Sequence, residues 1–233
     1  MQPRLVFDIE TAPTPDQLDA IPEPDVKHGN TKDPNRIATK EACARTAQLT
    51  KAALDPHFSR VLAIGMTVRK APGEEPKSKV LIAGRTAPPD YEETVVLAAF
   101  WEIVAKYDRY ATFYGSGFDI PFLMRRSLLL RVAPRLIDIG KYTTINPESE
   151  HLDVFRLLQQ WEPGNGQSNP LQIKHDLSFY AKTICGLECP YDVDKSKLGE
   201  LHAAGDFETI TQLVAWDAAT TLALVERVSG HYV

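Results

Sequence analysis

Hydrophobic alternation is clearest at the start of the chain. In Leu5-Val6-Phe7-Asp8-Ile9-Glu10-Thr11 it predicts a strand with Leu5, Phe7 and Ile9 on one face and Val6, Asp8 and Glu10 on the other. Two further runs, 60–69 and 79–83, read as strands separated by a Pro-, Gly- and Glu-rich turn at 71–76. Together the three predict a meander. Over 91–107, Val96, Phe100, Ile103 and Val104 recur at helical spacing, which supplies the crossover a parallel strand requires. A short fourth strand is expected at 110–114, a helix at 120–132 with Pro121 in its first turn, and a fifth strand at 136–139. Helices are then expected at 151–161, 176–186, 197–204 and 207–228.

Between the first two strands the pattern weakens. Residues 12–40 carry Pro13, Pro15, Pro22, Pro24 and Pro34 and read as a long, locally basic loop, either a solvated connector or a flap over bound substrate. A helix at 38–54 follows, closed by Asp55-Pro56. The expected organisation is a single domain over 1–233 with a loop-helix insertion at about 12–58. Its class is α/β, with a meander followed by alternating helices and strands.

Composition narrows the class without naming it. No apolar run in the 233 residues approaches the roughly 18 needed for a membrane span, and the N-terminus shows no secretory pattern, so a cytoplasmic protein is expected. Three cysteines, Cys43, Cys185 and Cys189, are an odd and sparse set, which argues against a disulfide framework, and they read as thiols. The net charge of −5 argues against a nucleic-acid partner only if no cations bind. Two divalent ions would bring it to about −1 and supply the positive potential a phosphate needs.

The candidate chemistry lies in the acids. Asp8 and Glu10 share a strand face roughly 6–7 Å apart. Unscreened, they repel by roughly 3 kcal/mol at an effective dielectric near 20, so one takes up a proton or both share a cation. Oxygen-only ligands favour Mg²⁺ or Mn²⁺ over zinc. Asp119 follows Phe113-Tyr114-Gly115-Ser116-Gly117-Phe118 at a strand-to-helix turn, where an acid serves equally as an N-cap or as a site ligand approaching the first strand. Asp217 interrupts the apolar helical stripe Ile210, Val214, Thr221, Leu224, Val228, and a carboxylate there requires a partner. No Lys or Arg lies one turn before it, which favours a metal.

These acids in these contexts resemble the DEDD (DnaQ-like) superfamily of 3′–5′ exonucleases, most closely stand-alone relatives of the proofreading exonuclease domain of family B DNA polymerases. Phe7-Asp8-Ile9-Glu10-Thr11 resembles the first motif, Tyr114 to Leu123 with its Phe118-Asp119-x-Pro121-Phe122-Leu123 core the second, and the helix around Asp217 the third. His151-Leu152-Asp153-Val154 and Asp176-Leu177 resemble the family's intervening helix starts. The resemblance implies a ribonuclease H-like fold, a mixed five-stranded sheet flanked by helices. It also implies two divalent metal ions, Mg²⁺ or Mn²⁺, and hydrolysis of single-stranded DNA or RNA from the 3′ end to mononucleotides.

By the same resemblance Asp8, Glu10 and Asp217 hold one ion, and Asp8 with Asp119 through water the other. Thr11 and Phe118 contact the terminal nucleotide. Arg125, Arg126, Arg131 and Arg135 are candidates for phosphate contact. Two departures stand out. The family's water-activating Tyr or His, four or five residues before the last acid, is replaced by Leu213 and Gln212, and the usual Asn of the second motif by Tyr114. The alternative is therefore a catalytically weakened fold kept as a nucleic-acid-binding or interaction module.

Overall fold

In the computed structural model, residues 4–13, 15–71, 73–84, 89–134, 150–161 and 175–230 are described. Strands β1 (Leu5–Pro13), β2 (Ser59–Val68), β3 (Lys77–Ile82), β4 (Tyr110–Thr112) and β5 (His151–Asp153) form one five-stranded sheet in the order β3-β2-β1-β4-β5. β2 runs antiparallel to both β1 and β3, while β4 runs parallel to β1 and β5 parallel to β4. The sheet is mixed, and β1 lies at its centre.

Helices cover both faces. α3 (Pro89–Val104) and α4 (Asp119–Leu129) pack on the face formed by Leu5, Phe7 and Ile9. Phe100 there meets Phe7 edge-on at 5.2 Å between ring centroids. On the other face Val6, Ala111 and Leu152 meet α5 (Val154–Gln160), α6 (Leu177–Tyr180) and α8 (Phe207–Ser229). Farther along that face, Ala12, Leu62 and Ala63 meet α7 (Leu198–Ala203) and the start of α8. Strand alternation thus sends the apolar odd positions of β1 to one layer of helices and the face bearing Asp8 and Glu10 to α8.

The sequence reading needs three corrections. The fifth strand is His151–Asp153, the segment expected to begin a helix; three residues are too few to show a period of two. Asp153 then caps the helix that follows, its carboxylate accepting from the Arg156 amide. The expected strand at 136–139 lies outside the described residues.

The stretch at 12–40 is more regular than a loop. β1 runs on to Pro13, α1 spans Pro15–Asp19, and α2 spans Pro34–Ala52, starting four residues earlier than expected because Asp33 caps it through the Asn35 amide. Finally, the helix expected at 176–186 changes from α6 to a π-helical turn, Ala181–Cys185, which ends on Gly186 at φ 68°.

Candidate active site

Asp8 and Glu10 reach the α8 side of the sheet by alternation, and Asp217 arrives from α8. One carboxylate oxygen of each lies within 4.8 Å of the others. The close approach of α8 has a local cause. Gly65 pairs with Asp8 across β1 and β2, and a Cβ added there would lie 2.3 Å from the Val214 carbonyl oxygen. A residue without a side chain lets the α8 backbone rest on the sheet one turn before Asp217. Just past Glu10 the β1–β2 register shifts, so that Glu10 pairs with Ala63 and Thr11 with Val61. Such bulges re-aim the residues around them.

Asp119 stands apart from this trio. It opens α4 but does not cap it, since the N-cap position is Phe118 and makes no side-chain bond. Instead Asp119 Oδ1 accepts from the Ile9 amide at 3.2 Å, between the two acids of β1. The turn that delivers it is held by Asp153, whose carboxylate accepts from the amides of Tyr114 and Ser116, both at 3.0 Å, and from the Ser116 hydroxyl at 2.5 Å. Tyr114 adopts φ 65°, a conformation a non-glycine residue rarely takes, and places its ring under the Arg156 guanidinium at 5.1 Å. Gly117 has room for no Cβ against that ring.

Four acids in so little volume disturb one another. Burial is the main cause that pushes Glu10 up to about 7, opposed by the adjacent Lys195. Burial likewise raises Asp119 to about 7, although the amides of Asp119 and Ile9 pull the other way. Asp8 is raised well above the ordinary carboxylate range, by burial first and then by the charges of Asp119 and Asp217.

The cation that answers this charge is Lys195, which sequence reasoning missed. Its Nζ donates to Glu10 Oε1 and to Asp217 Oδ2, each at 2.7 Å. Burial alone would lower its pKa, but the charges of Glu10, Asp217 and Asp8 outweigh that and raise it. Lys195 begins a 3-10 turn, Lys195–Lys197, capped by Asp194 and anchored by the buried Leu198 that starts α7. The absence of a basic residue one turn before Asp217 is real, but it does not leave Asp217 unpartnered. The signal in sequence is slight: a capped turn, Asp194-Lys195-Ser196-Lys197, ahead of an apolar position. Nothing local relates it to residue 217.

Other expected site residues are placed elsewhere. Leu213 is buried in the core against β2, and the Gln212 amide donates to Glu208, so neither faces the acids as a base. Thr11 directs its hydroxyl to the Ala53 carbonyl at 2.8 Å, and the half-buried Phe118 packs against Phe122. Arg126 is no phosphate ligand. It is buried in an ion pair with Glu93 and also donates to the Pro56 carbonyl. Arg125 and Arg131 are exposed, and Arg135 lies outside the described residues. The three cysteines are free thiols. Among the described residues no helix is long and apolar enough to cross a membrane.

The geometry suits an all-oxygen cation site. The donors are carboxylates, they converge on one point, and an ammonium already occupies the position between two of them.

Comparison with known proteins agrees on the fold. The structure of the family B DNA polymerase from the hyperthermophilic archaeon Pyrobaculum calidifontis superposes over 98% of this chain and 25% of that one, with 16% identity and a TM-score of 0.60. The chain thus spans about a quarter of the polymerase's length. The shared architecture is the ribonuclease H-like α/β fold of a polymerase exonuclease domain, an open five-stranded sheet flanked by helices. No curated protein matches the chain in sequence. A family model does, over residues 52–231, a span that takes in Asp119, Lys195 and Asp217 and begins after the two acids of β1. On that match the chain belongs to the family described as predicted 3′–5′ exonucleases related to the exonuclease domain of PolB.

Proposed function

We propose that the protein is a metal-dependent 3′–5′ exonuclease that trims single-stranded DNA or RNA ends to mononucleotides. The observation that carries this reading is the convergence of Asp8, Glu10 and Asp217, from the two ends of the chain, on one point beside Asp119. Asp8, Glu10 and Asp217 are the residues to hold a divalent ion such as Mg²⁺ or Mn²⁺, and Asp8 with Asp119 a second. When bound, a pair of such ions supplies Lewis acidity to the attacking water and to the departing 3′ oxygen of the terminal phosphodiester.

The chain's own residues prepare that site. Asp119, fixed by the Ile9 amide and by the Asp153-clamped turn, adds negative charge without joining the tight trio. Lys195 neutralises Glu10 and Asp217 in the metal-free protein and keeps the acids together against their repulsion. Its side chain is 53% exposed, which leaves a substrate phosphate a way to reach the ammonium while it holds the two carboxylates. Thr11 and Phe118 are proposed as contacts for the terminal nucleotide, Phe118 through stacking that tolerates any base.

A 3′-labelled single-stranded oligonucleotide incubated with Mg²⁺ or Mn²⁺ should release labelled mononucleotide, and Asp8→Ala should slow release at least a hundredfold. Equal rates for the two proteins would overturn the proposal. A second reading, a weakened enzyme retained as a binding module, is favoured by the burial of Leu213 and the turning of Gln212 toward Glu208. It predicts oligonucleotide binding without release.

A further inference from the structure

α2 is an outlier among the helices. Nineteen residues long, it buries only Ala52 at its C-terminal end. Its half-buried residues, Ile37, Ala44, Arg45, Gln48 and Leu49, lie on one side. A strap of chain covers that side: Arg45 donates to the carbonyls of Ile21 and Pro22, Gln48 donates to Pro22, and Glu41 pairs with His28.

At 100° per residue, Arg36, Thr39, Lys40, Cys43, Ala47, Thr50 and Lys51, all exposed, fall within an arc of about 120° that runs from the far side of the helix round to Lys51 at the edge of the covered one. It holds three cations and no acid. The Thr39 and Thr50 hydroxyls are turned back to carbonyls one turn earlier, so the cations are what this face offers a partner. Their present contacts are weak and exposed: Arg36 lies 3.7 Å from Asp33, and Lys40 reaches the His28 carbonyl at 3.4 Å.

The position of the stripe gives it meaning. From Arg36 to Lys51 it runs about 22 Å. Its C-terminal end is tied to β1 just past Glu10, because Thr11 donates to the Ala53 carbonyl and Ser59, paired with Pro13, donates to Ala52. In a chain of net charge −5, three exposed cations on a helix whose end is tied to the acid-bearing strand, with the N-cap Asp33 beside the first of them, are complementary to a polyanion whose end lies in the site. All of α2 but its last residue, Ala52, precedes the family match, so its three cations are not part of the matched span.

We infer that the exposed face of α2 is a track for the phosphodiester backbone of a single strand whose 3′ end lies at the acids. Arg36, Lys40 and Lys51 each neutralise one phosphate upstream of the terminal nucleotide. The inference rests on the exonuclease reading for the position of the 3′ end. Its consequence is substrate length: strands long enough to reach α2 bind through it, and those of two or three nucleotides do not.

The test compares wild type with the triple variant Arg36→Ser/Lys40→Ser/Lys51→Ser. A second triple variant, Lys77→Ser/Lys79→Ser/Lys106→Ser, removes three exposed cations elsewhere. Binding of a fluorescent 20-nucleotide oligothymidylate is followed by anisotropy across salt, and hydrolysis of the 20-mer and of a trinucleotide is followed in Mn²⁺. Single strands contribute about 0.7 per neutralised phosphate to the slope of log affinity against log salt, so the α2 variant should lose about 2 from that slope. It should also lose at least about tenfold in 20-mer affinity at low salt, with trinucleotide hydrolysis unchanged and the second variant close to wild type.

An unchanged slope in the α2 variant overturns the inference, as does an equal loss in both triple variants or a wild type that does not bind the 20-mer. Binding that depends on α2 without hydrolysis leaves the track standing and sinks the exonuclease reading. Hydrolysis without dependence on α2 does the reverse.

Discussion

Gly65 lies directly beneath Val214: a Cβ on Gly65 would sit 2.3 Å from the Val214 carbonyl oxygen, closer than any real contact permits. The obstruction is backbone, not the end of a flexible side chain, so it yields only if α8 lifts from the sheet. Gly65→Ala should therefore destabilise by about 1–3 kcal/mol, the usual range for overpacking a filled interior. It should also separate Asp217 from Asp8 and Glu10. Urea unfolding should show a lower midpoint and nuclease assays a loss of activity; a midpoint equal to that of wild type would mean α8 does not depend on this contact.

Lys195 holds the carboxylates of Glu10 and Asp217, so a divalent ion bound as proposed would compete with it for them. Lys195→Met leaves Glu10 and Asp217 facing each other without a cation, at an expected cost of roughly 1–3 kcal/mol in metal-free protein. Saturating Mn²⁺ should restore much of that loss, so the metal-induced rise in melting temperature should be larger in the variant than in wild type. Calorimetry with and without EDTA measures both, and a smaller rise in the variant would contradict the competition.

Carboxyl groups raised by burial make the metal-free protein sensitive to alkali. Glu10 and Asp119 titrate at about 7 in the folded protein, against about 4 when unfolded. Between those values the folded state holds protons the unfolded state has released, so the stability these groups contribute is full below about pH 4 and falls as pH rises through about 7. In EDTA, unfolding free energy should decline from pH 5 to pH 8 more steeply for wild type than for Asp119→Asn. Mn²⁺, which needs the deprotonated acids, should bind more tightly at pH 8 than at pH 6. Parallel pH profiles for the two proteins would remove Asp119 as the cause.

Asp153 holds the turn that aims Asp119 without itself standing among the trio. Asp153→Ala strips partners from the amides of Tyr114 and Ser116 and from the cap of α5. It should cost about 1–3 kcal/mol and lower kcat more than the affinity for oligonucleotide. Asp153→Asn, which keeps an acceptor oxygen, should recover part of both. A variant that binds and cleaves as wild type does would show that Tyr114 and Gly117 alone suffice to set the turn.

The acids were legible in sequence because each sits in a local pattern: alternation places Asp8 beside Glu10, and the 3.6-residue stripe turns Asp217 inward. Asp119 was ambiguous, since an acid ahead of Pro121 looks the same whether it caps a helix or serves a neighbouring strand, and only the Ile9 amide decides. Lys195 was not legible. It reaches Asp217 because Leu198 and the Asp194 cap seat its turn against β1, a relationship between segments that no short window contains. The three-residue β5 escaped for a related reason: its pairing with β4 defines it, and its own sequence resembles a helix start.

The order of the chain carries one last consequence. Asp8 and Asp217 are separated by nearly the whole sequence, and they meet only when α8 settles over Gly65. During synthesis the strands of the meander emerge first and α8 last among the elements described. A chain made only as far as α7 therefore carries Asp8, Glu10 and Asp119 but lacks Asp217, the acid that completes the cluster. Whatever reactivity the completed cluster has is withheld from nascent or truncated chains by connectivity alone, with no separate inhibitor.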